Sequence, residues 1–194
     1  MLFEKSSKDY FLKTKKNTTK HFNIPNKWRY KMGLDNFWLI PKNTQENLEK
    51  FFNVDEFDSM KPNDVEFEEA SYQGEYPLKL VGGMFSGHGD GSFRGKYYSP
   101  LCDALLEEED WLYYFHLPID IESAFQNMKP YLEKFQGVDA EKQWNEFVHH
   151  CKENLNIFDQ HNFLDDYTLQ DAVEFMKMFE YYSAVENICL HAWY

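Results

Sequence analysis

The chain has 194 residues, a formal net charge of −13 at pH 7 and an aromatic content of 19%. A chain of this length buries roughly 70% of the surface that its unfolded form exposes, and the recurrence of Phe, Tyr and Trp along all of it excludes intrinsic disorder. No run reaches the roughly 18 consecutive apolar residues of a membrane span and no apolar signal region opens the chain, so we expect a cytoplasmic protein with no membrane partner.

Charge is divided unevenly along the chain. Residues 1–31 carry nine Lys or Arg against Glu4 and Asp9, a net charge of +7, and the remaining residues have a net charge of −20. The acidic body argues against a nucleic-acid partner, because affinity for phosphate backbones depends on Lys and Arg. The sequence therefore predicts a basic N-terminal extension over residues 1–31, which either lies against its own acidic body or contacts an anionic polymer.

The rest, residues 32–194, is predicted to be a single compact α+β domain with a small sheet and about five helices. It begins at Met32 with MGLDNFWLI, where apolar residues in both alternating sets predict a strand with both faces partly covered. Thr44 is placed to cap a two-turn helix over QENLEKFF. An edge strand is predicted within VEFEE, and the segment PLKLVGGMF predicts a further strand that runs into a glycine-rich loop.

The second half of the chain is predicted to be mostly helical. One of these helices is expected to be interrupted at Pro130 and to resume as far as Gly137. The tail ICLHAWY is apolar enough to be a final, buried strand. The residues predicted to cap or begin the helices are Ser99 with Pro100, Asp120, Asp139, and Thr168 with Asp171 as a capping box.

The glycine-rich loop is the main candidate binding site. A strand, a glycine-rich turn and a helix N-terminus in succession direct backbone N–H groups toward an anion, because the first helical turn has unpaired donors and a positive dipole end. Arg94 adds a bidentate guanidinium and Lys96 a second positive charge. The predicted ligand is a small phosphate- or carboxylate-bearing anion, with no cofactor. Its predicted contacts are Ser86, Gly87, His88, Gly89, Asp90, Gly91, Ser92, Arg94 and Lys96.

Neither established phosphate-binding motif fits this loop. The dinucleotide fingerprint fails because Ser92 stands where the third glycine belongs, and the P-loop fails because Asp90 and Tyr97 occupy required positions. In the alternative, structural interpretation, the glycines supply turn conformations and Arg94 pairs with a carboxylate of the domain. The sequence leaves both interpretations open.

Two motifs of the chain resemble segments of known small proteins. MGLDNFW from Met32 and GGMFSGHGDGSFRGKYY from Gly82 resemble small bacterial and phage proteins that open with MGLDN and carry an S-F-R-G-K-x-Y loop. The similarity covers mainly these two motifs and the domain that they bracket. It implies that the domain starts at Met32 and that residues 1–31 are an extension, and it implies no activity.

Two other classes of function remain open, so whether the protein is an enzyme is not decided by the sequence. One is an acidic interaction protein, such as an inhibitor or immunity-type factor, whose surface docks on a basic protein partner. The other is a hydrolase that uses His88 and Asp90 with a loop serine. No G-x-S-x-G elbow surrounds Ser86, so this class lacks a motif.

His88 and Asp90, two residues apart in the loop, would supply an imidazole and a carboxylate to one metal ion, but no third ligand accompanies them in the sequence. The spacing of the cysteines and of the other histidines predicts no metal site. Cys102, Cys151 and Cys189 form no CxxC pair and are predicted to be reduced and buried. His149 and His150 are adjacent, so on a helix their side chains point about 100° apart and cannot chelate one ion. We expect both histidines on an exposed helix surface.

Overall fold

The computed structural model describes residues 34–53, 61–70, 91–154 and 167–193. A small antiparallel sheet packs against helices in these ranges, which confirms the predicted α+β fold. The strands are β1 (Asp35–Pro41), β2 (Phe67–Glu69), β3 (Ser92–Phe93) and β4 (Cys189–Trp193). The helices are α1 (Gln45–Phe52), α2 (Gly95–Leu106), α3 (Pro118–Phe135), α4 (Ala140–Asn154) and α5 (Leu169–Ser183), with a 3₁₀ turn at Trp111–Tyr113.

Strand β1 is the centre of the sheet. Strand β4 pairs with it from Asp35 to Leu39, while β3 and then β2 pair, one after the other, along its opposite edge. Trp38 and its neighbours Phe37 and Leu39 are all buried although they point to opposite faces. The prediction of a strand with both faces at least partly covered is therefore confirmed.

Aromatic side chains dominate the main core. The Trp38 ring stacks on Tyr182 at a centroid distance of 4.4 Å and meets Phe179 edge-on at 5.3 Å, which joins β1 to α5. Each such pair adds about 0.5–1.5 kcal/mol beyond the apolar area that it buries. A second, smaller cluster forms around Phe51 of α1 and Phe115. The high aromatic content of the sequence is thus used for packing.

Two predicted helix starts are confirmed by their caps. The Thr44 hydroxyl accepts a hydrogen bond from the Asn47 N–H at 3.3 Å at the start of α1. At the start of α5, the Thr168 hydroxyl accepts from the Asp171 N–H at 3.2 Å, and the Asp171 carboxylate accepts from the Thr168 N–H at 2.7 Å. These reciprocal bonds are the predicted capping box.

Three other predicted helix boundaries are wrong. Helix α2 begins at Gly95, ahead of the predicted start at Ser99, so Pro100 lies inside the helix. Helix α3 runs through Pro130 without interruption. Its inner face buries Ile121, Ala124, Phe125, Met128, Leu132 and Phe135, and this packing outweighs the hydrogen bond that a proline removes. The prediction that Asp120 caps α3 is also wrong, because the helix begins at Pro118 with Leu117 as its N-cap residue. Asp120 instead lies in the first turn, where its carboxylate accepts a hydrogen bond from the Leu117 N–H at 2.9 Å.

Some predictions fall outside the described ranges, namely the basic extension, the start of the domain at Met32 and the strand in PLKLVGGMF. The edge strand predicted within VEFEE is confirmed as β2, and the final strand as β4. None of the described helices is long and apolar enough to cross a membrane.

Candidate functional site

Four of the predicted ligand-binding residues lie in the described part of the chain, and residues 86–90 lie outside it. Gly91 and Ser92 belong to the edge of the sheet at β3, and Arg94 and Lys96 belong to the N-terminus of α2. The structure brings this helix end against the beginning of β1, since the Lys96 N–H donates to the Leu34 carbonyl at 3.2 Å. The candidate site is therefore a helix N-terminus at a corner of the sheet.

Gly91 has a structural reason to be glycine. Its carbonyl oxygen accepts a hydrogen bond from the Trp38 N–H at 2.7 Å, and the Ala70 N–H donates to the Trp38 carbonyl at 2.8 Å. A Cβ at Gly91 would lie 2.9 Å from the Ala70 carbonyl oxygen, closer than side chains approach. At position 91, the close approach of two backbones explains the glycine, in agreement with the structural interpretation of the loop.

Ser92 is packed inside the sheet. It lies opposite Phe37 in the pairing of β3 with β1, and it is fully buried. In this arrangement the Ser92 hydroxyl faces no solvent, so the accessible part of the candidate site begins at Arg94. Its burial also removes Ser92 from the surface nucleophiles that the hydrolase interpretation requires.

Gly95 is a determinant of the site that the sequence reasoning missed. A Cβ at Gly95 would lie 1.8 Å from Asn36 Oδ1, so only glycine fits. The buried Asn36 donates from Nδ2 to the Leu112 carbonyl at 2.8 Å. Gly95 and Asn36 together set how closely α2 approaches β1. The signal in the sequence was an asparagine within an otherwise apolar strand core.

Arg94 pairs with Asp35, the first residue of β1. The Arg94 Nε and Asp35 Oδ1 atoms are 2.8 Å apart, and both are shielded from solvent. The contact is an ion pair without the alignment of a hydrogen bond, and neither atom has an aligned partner among the described residues. The Arg94 side chain is nevertheless 44% exposed, whereas that of Asp35 is 16% exposed. Arg94 is therefore the more accessible side chain of the pair.

The N-terminus of α2 differs electrostatically from the other described helix starts. The first turns of α1, α3, α4 and α5 each contain an acidic residue: Glu46, Asp120, Glu141 and Asp171 respectively. Helix α2 has none, and its N-cap residue Arg94 makes no side-chain capping bond in the described structure. The exposed Lys96 adds a second cation. A positive dipole end and two basic side chains thus coincide.

The other end of α2 is acidic. Glu107 and Asp110 adopt left-handed backbone conformations, with φ angles of 54° and 63°, in the turn that joins α2 to the 3₁₀ turn. Glu107, Glu108 and Glu109 are exposed, and none of them forms a salt bridge with a basic residue of the described ranges. We call residues 107–110 the acidic turn.

Two buried titratable groups hold the chain next to the acidic turn. The Asp103 carboxyl accepts from the Ser99 hydroxyl at 3.4 Å and from the Trp111 N–H, and burial raises its pKa well above the usual value. The His116 ring stacks on Trp111 at 3.6 Å, and Nε2 lies 2.6 Å from the Trp111 carbonyl oxygen. Burial lowers the pKa of His116 to about 4, so it is neutral at pH 7. Both groups are enclosed, and their contacts are structural.

The remaining candidate sites offer fewer groups that could bind a ligand or react. A shallow groove of about 470 Å³ is lined by Glu46, Glu49, Lys50, Asn53 and Asp64, where Lys50 already pairs with Glu46 at 2.8 Å. Within the described ranges, no three His, Cys, Asp or Glu side chains are arranged to hold a metal ion. Cys102, Cys151 and Cys189 are free and buried, as predicted. His149 and His150 are exposed on α4, and His149 lies 3.3 Å from Glu153.

Comparison with family models, with curated proteins and with solved structures gives no match for this chain. The resemblance of the MGLDN and S-F-R-G-K-x-Y motifs to bacterial and phage proteins therefore stays a prediction.

Proposed function

We propose that the protein binds a small anion, carrying a phosphate or carboxylate group, at the N-terminus of α2. The observation that carries this proposal is the first turn of α2, which has no acidic residue and presents Arg94 and Lys96. The positive end of the helix dipole, together with these two basic side chains, favours an anion at such an end. The two cations are a local exception, because residues 32–194 carry a net charge of −20.

Arg94 would be the principal contact. A guanidinium has five N–H donors in a planar fork, and the ion pair with Asp35 is made through Nε. Under this proposal, the two terminal nitrogens would bind a carboxylate or phosphate oxygen pair. Lys96 would add a point charge from the first turn of the helix. Residues 86–90, which lie outside the described ranges, were predicted to supply further N–H groups, and the proposal does not depend on them.

Thermal unfolding in the presence of inorganic phosphate, nucleotides and simple carboxylates tests this function. A ligand at about 100 times its dissociation constant stabilises the folded state by roughly 2.7 kcal/mol, which is several degrees for a chain of this size. We expect a shift that is lost in Arg94→Ala and reduced in Lys96→Ala. The exposed Lys129 of α3 provides a charge-matched control, Lys129→Ala. A shift of equal size in wild type and Arg94→Ala would refute the proposal.

The acidic turn supports a second candidate function, the docking of a basic protein partner. Three exposed glutamates without a described salt-bridge partner form a concentrated negative surface, and such a surface steers a positive partner in a salt-dependent manner. The test is co-purification at low and high salt with the triple variant Glu107→Gln, Glu108→Gln and Glu109→Gln. A control with Glu122, Glu133 and Glu141 changed to Gln has the same net charge, so equal capture by both variants would reject the acidic turn as the docking site.

A further inference from the structure

Asp103 connects the end of α2 to both ends of the acidic turn. Its main-chain carbonyl accepts hydrogen bonds from the Glu107 N–H, which ends the helix, and from the Glu108 N–H at 3.2 Å. Where the turn ends, the Trp111 N–H donates to the Asp103 carboxyl. One buried residue therefore holds the chain at the beginning of the turn through its backbone and at the end of the turn through its side chain.

The Asp103 carboxyl is enclosed but incompletely bonded. Asp103 is 6% exposed, its Oδ2 accepts from the Ser99 hydroxyl at a distance of 3.4 Å, and its Oδ1 has no hydrogen-bond partner among the described residues. A buried carboxylate is costly unless it is paired with a cation or fully hydrogen-bonded. These surroundings therefore suit the neutral, protonated acid better than the carboxylate.

The charged groups closest to Asp103 oppose its ionisation. Burial is the largest cause that raises its pKa, and Glu109 and Glu108 of the acidic turn raise it further, although the two hydrogen bonds to the carboxyl act in the opposite direction. The adjacent Cys102 thiol is buried, and its own pKa is raised, so it stays neutral. Ionised Asp103 would therefore meet two like charges and no compensating cation from its own helix or from the turn.

The elements packed beside the turn do not supply a cation either. The His116 ring, which stacks on Trp111, has a pKa lowered by burial to about 4 and is neutral at pH 7. At the start of α3, Asp120 is acidic and interacts with Glu108, which raises the Asp120 pKa. Within the described ranges, no basic side chain acts on the pKa of Asp103.

The acidic turn is the segment that can yield. Glu107 and Asp110 have φ angles of 54° and 63°, a left-handed conformation that residues with a side chain rarely adopt and that persists where surrounding contacts impose it. The side chains of residues 107–109 are exposed, so moving them breaks no described salt bridge. Weakening the contacts with Asp103 therefore releases the turn before it disturbs the core.

We propose that Asp103 is a pH-dependent latch of the acidic turn: the turn is closed while the Asp103 carboxyl is protonated, and it opens when this proton is released to solvent. In the open form, water hydrates the carboxylate, and Glu108 and Glu109 lie farther from it. This inference depends on neither the anion site nor the docking of a basic protein.

Amide hydrogen exchange of the full chain, followed by NMR between pH 5 and pH 9, tests the latch. We expect the Glu108 and Trp111 amides to be less protected than the Trp38 amide, which donates to the Gly91 carbonyl inside the sheet, because a local opening exposes only the turn. After correction for the intrinsic exchange rate, protection of the two turn amides should fall by up to about tenfold per pH unit, because opening releases one proton. The fall should stop at the pKa of the closed form.

Two sets of variants assign this pH dependence. Asp103→Asn keeps the shape of the acid but has no proton to release, so protection of the Glu108 and Trp111 amides should no longer depend on pH. The double variant Glu108→Gln and Glu109→Gln keeps Asp103 and removes the two like charges, and it should raise protection of the Trp111 amide at pH 9 by about threefold. Glu122→Gln with Glu133→Gln, on the exposed surface of α3, has the same net charge and should leave protection unchanged.

Each alternative result is decisive. Constant protection of the turn amides from pH 5 to pH 9 in wild type, or an equal fall in Asp103→Asn, overturns the latch. A fall that the Trp38 amide shares to the same degree would mean that Asp103 ionises only on global unfolding, which also overturns it. If Asp103→Asn does not fold, the two double variants decide, because equal protection of the Trp111 amide in both at pH 9 rejects the proposal.

Discussion

Ala70 and Gly91 meet at the backbone of Trp38, so closely that a Cβ on Gly91 would stand 2.9 Å from the Ala70 carbonyl oxygen. This contact joins the inner ends of β2 and β3, which follow one another along the same edge of β1. Strands β2 and β3 therefore meet end to end at this point of β1. The position of Gly91 is dictated by this approach of two backbones.

We expect Gly91→Ala to destabilise the fold by about 1–3 kcal/mol, because the added methyl group would displace the Ala70 carbonyl or the edge of β1. Urea-induced unfolding measures this change. Gly137→Ala is the matched control, because a Cβ at Gly137 would meet its nearest atom, the Lys134 carbonyl oxygen, at 3.3 Å. Equal destabilisation in the two variants would contradict the importance of the contact at Gly91.

The stacked pair of Trp38 and Tyr182 offers a second stability test. Tyr182→Phe removes the hydrogen bond from the hydroxyl to the Ala70 carbonyl at 3.2 Å but keeps the stacked ring, so the expected cost is about 0.5–1.5 kcal/mol. Trp38→Ala removes the centre of the core and should cost about 3–5 kcal/mol. Chemical denaturation followed by far-UV circular dichroism distinguishes the two values. A Tyr182→Phe cost as large as that of Trp38→Ala would contradict this assignment.

The buried His116 is expected to make the folded state less stable at acidic pH. Burial lowers its folded-state pKa to about 4, below the ordinary value of 6.5, so the unfolded state binds more protons between these values. The stabilising contribution is complete above pH 6.5 and is lost as the pH falls toward 4, about 2 kcal/mol of it by pH 5. His191, whose pKa burial also lowers to about 4, acts in the same direction.

The measurement for His116 is the change in unfolding free energy between pH 7.5 and pH 5, compared in wild type and His116→Gln. We expect the variant to be less stable at pH 7.5 but to lose less on acidification. A parallel loss in both proteins would show that His116 is not the responsible group.

The buried Asp103 is expected to change the pH dependence of the unfolding free energy in the opposite direction. Burial raises its folded-state pKa well above the usual value, and the neighbouring Glu109 and Glu108 add to the effect. The folded state therefore holds a proton that the unfolded state has released, so this contribution is present at low pH and is lost as the pH rises through the folded-state pKa. Asp103→Asn replaces the neutral acid by a neutral amide, and we expect it to be more stable than wild type at pH 8 and closer to wild type at pH 5. Greater stability of wild type at pH 8 would contradict a protonated Asp103.

The ion pair between Arg94 and Asp35 should contribute little to stability. Because the Arg94 side chain is 44% exposed, solvent screens the attraction, and a coupling energy of about 0.3–1 kcal/mol is expected. A double-mutant cycle with Arg94→Ala, Asp35→Asn and the combined variant measures it by chemical denaturation. A coupling of several kcal/mol would mean that the pair holds the corner of the sheet together, and the site would then be less free to bind a ligand.

Local patterns predicted much of the fold. The alternation around Trp38 and the caps at Thr44 and Thr168 depend on neighbours in the sequence, and the structure confirms all three. The errors at Pro100 and Pro130 arose because helix-breaking by proline is a local rule, whereas packing of α2 and α3 is decided by distant residues. Local rules fail where tertiary contacts contribute more free energy than the local conformational preference does.

The candidate site was predictable only in part. Arg94 and Lys96 could be selected because two cations next to a glycine-rich loop stand out in an acidic sequence. The pairing of Arg94 with Asp35 could not be selected among many carboxylates, because it depends on the register between β1 and β3. The need for glycine at position 95 likewise depends on Asn36, which is brought near by the same register.

The central position of β1 has a kinetic consequence. The pair of β1 with β4 joins opposite ends of the described chain, and β2 and β3 also contact β1 from distant positions in the sequence. Long loops must close before these contacts can form, and closing them costs conformational entropy. The high contact order therefore predicts slow folding. Until β4 arrives, one edge of β1 has unpaired N–H and C=O groups and can pair with another chain. Refolding at high protein concentration is therefore expected to compete with aggregation through β1.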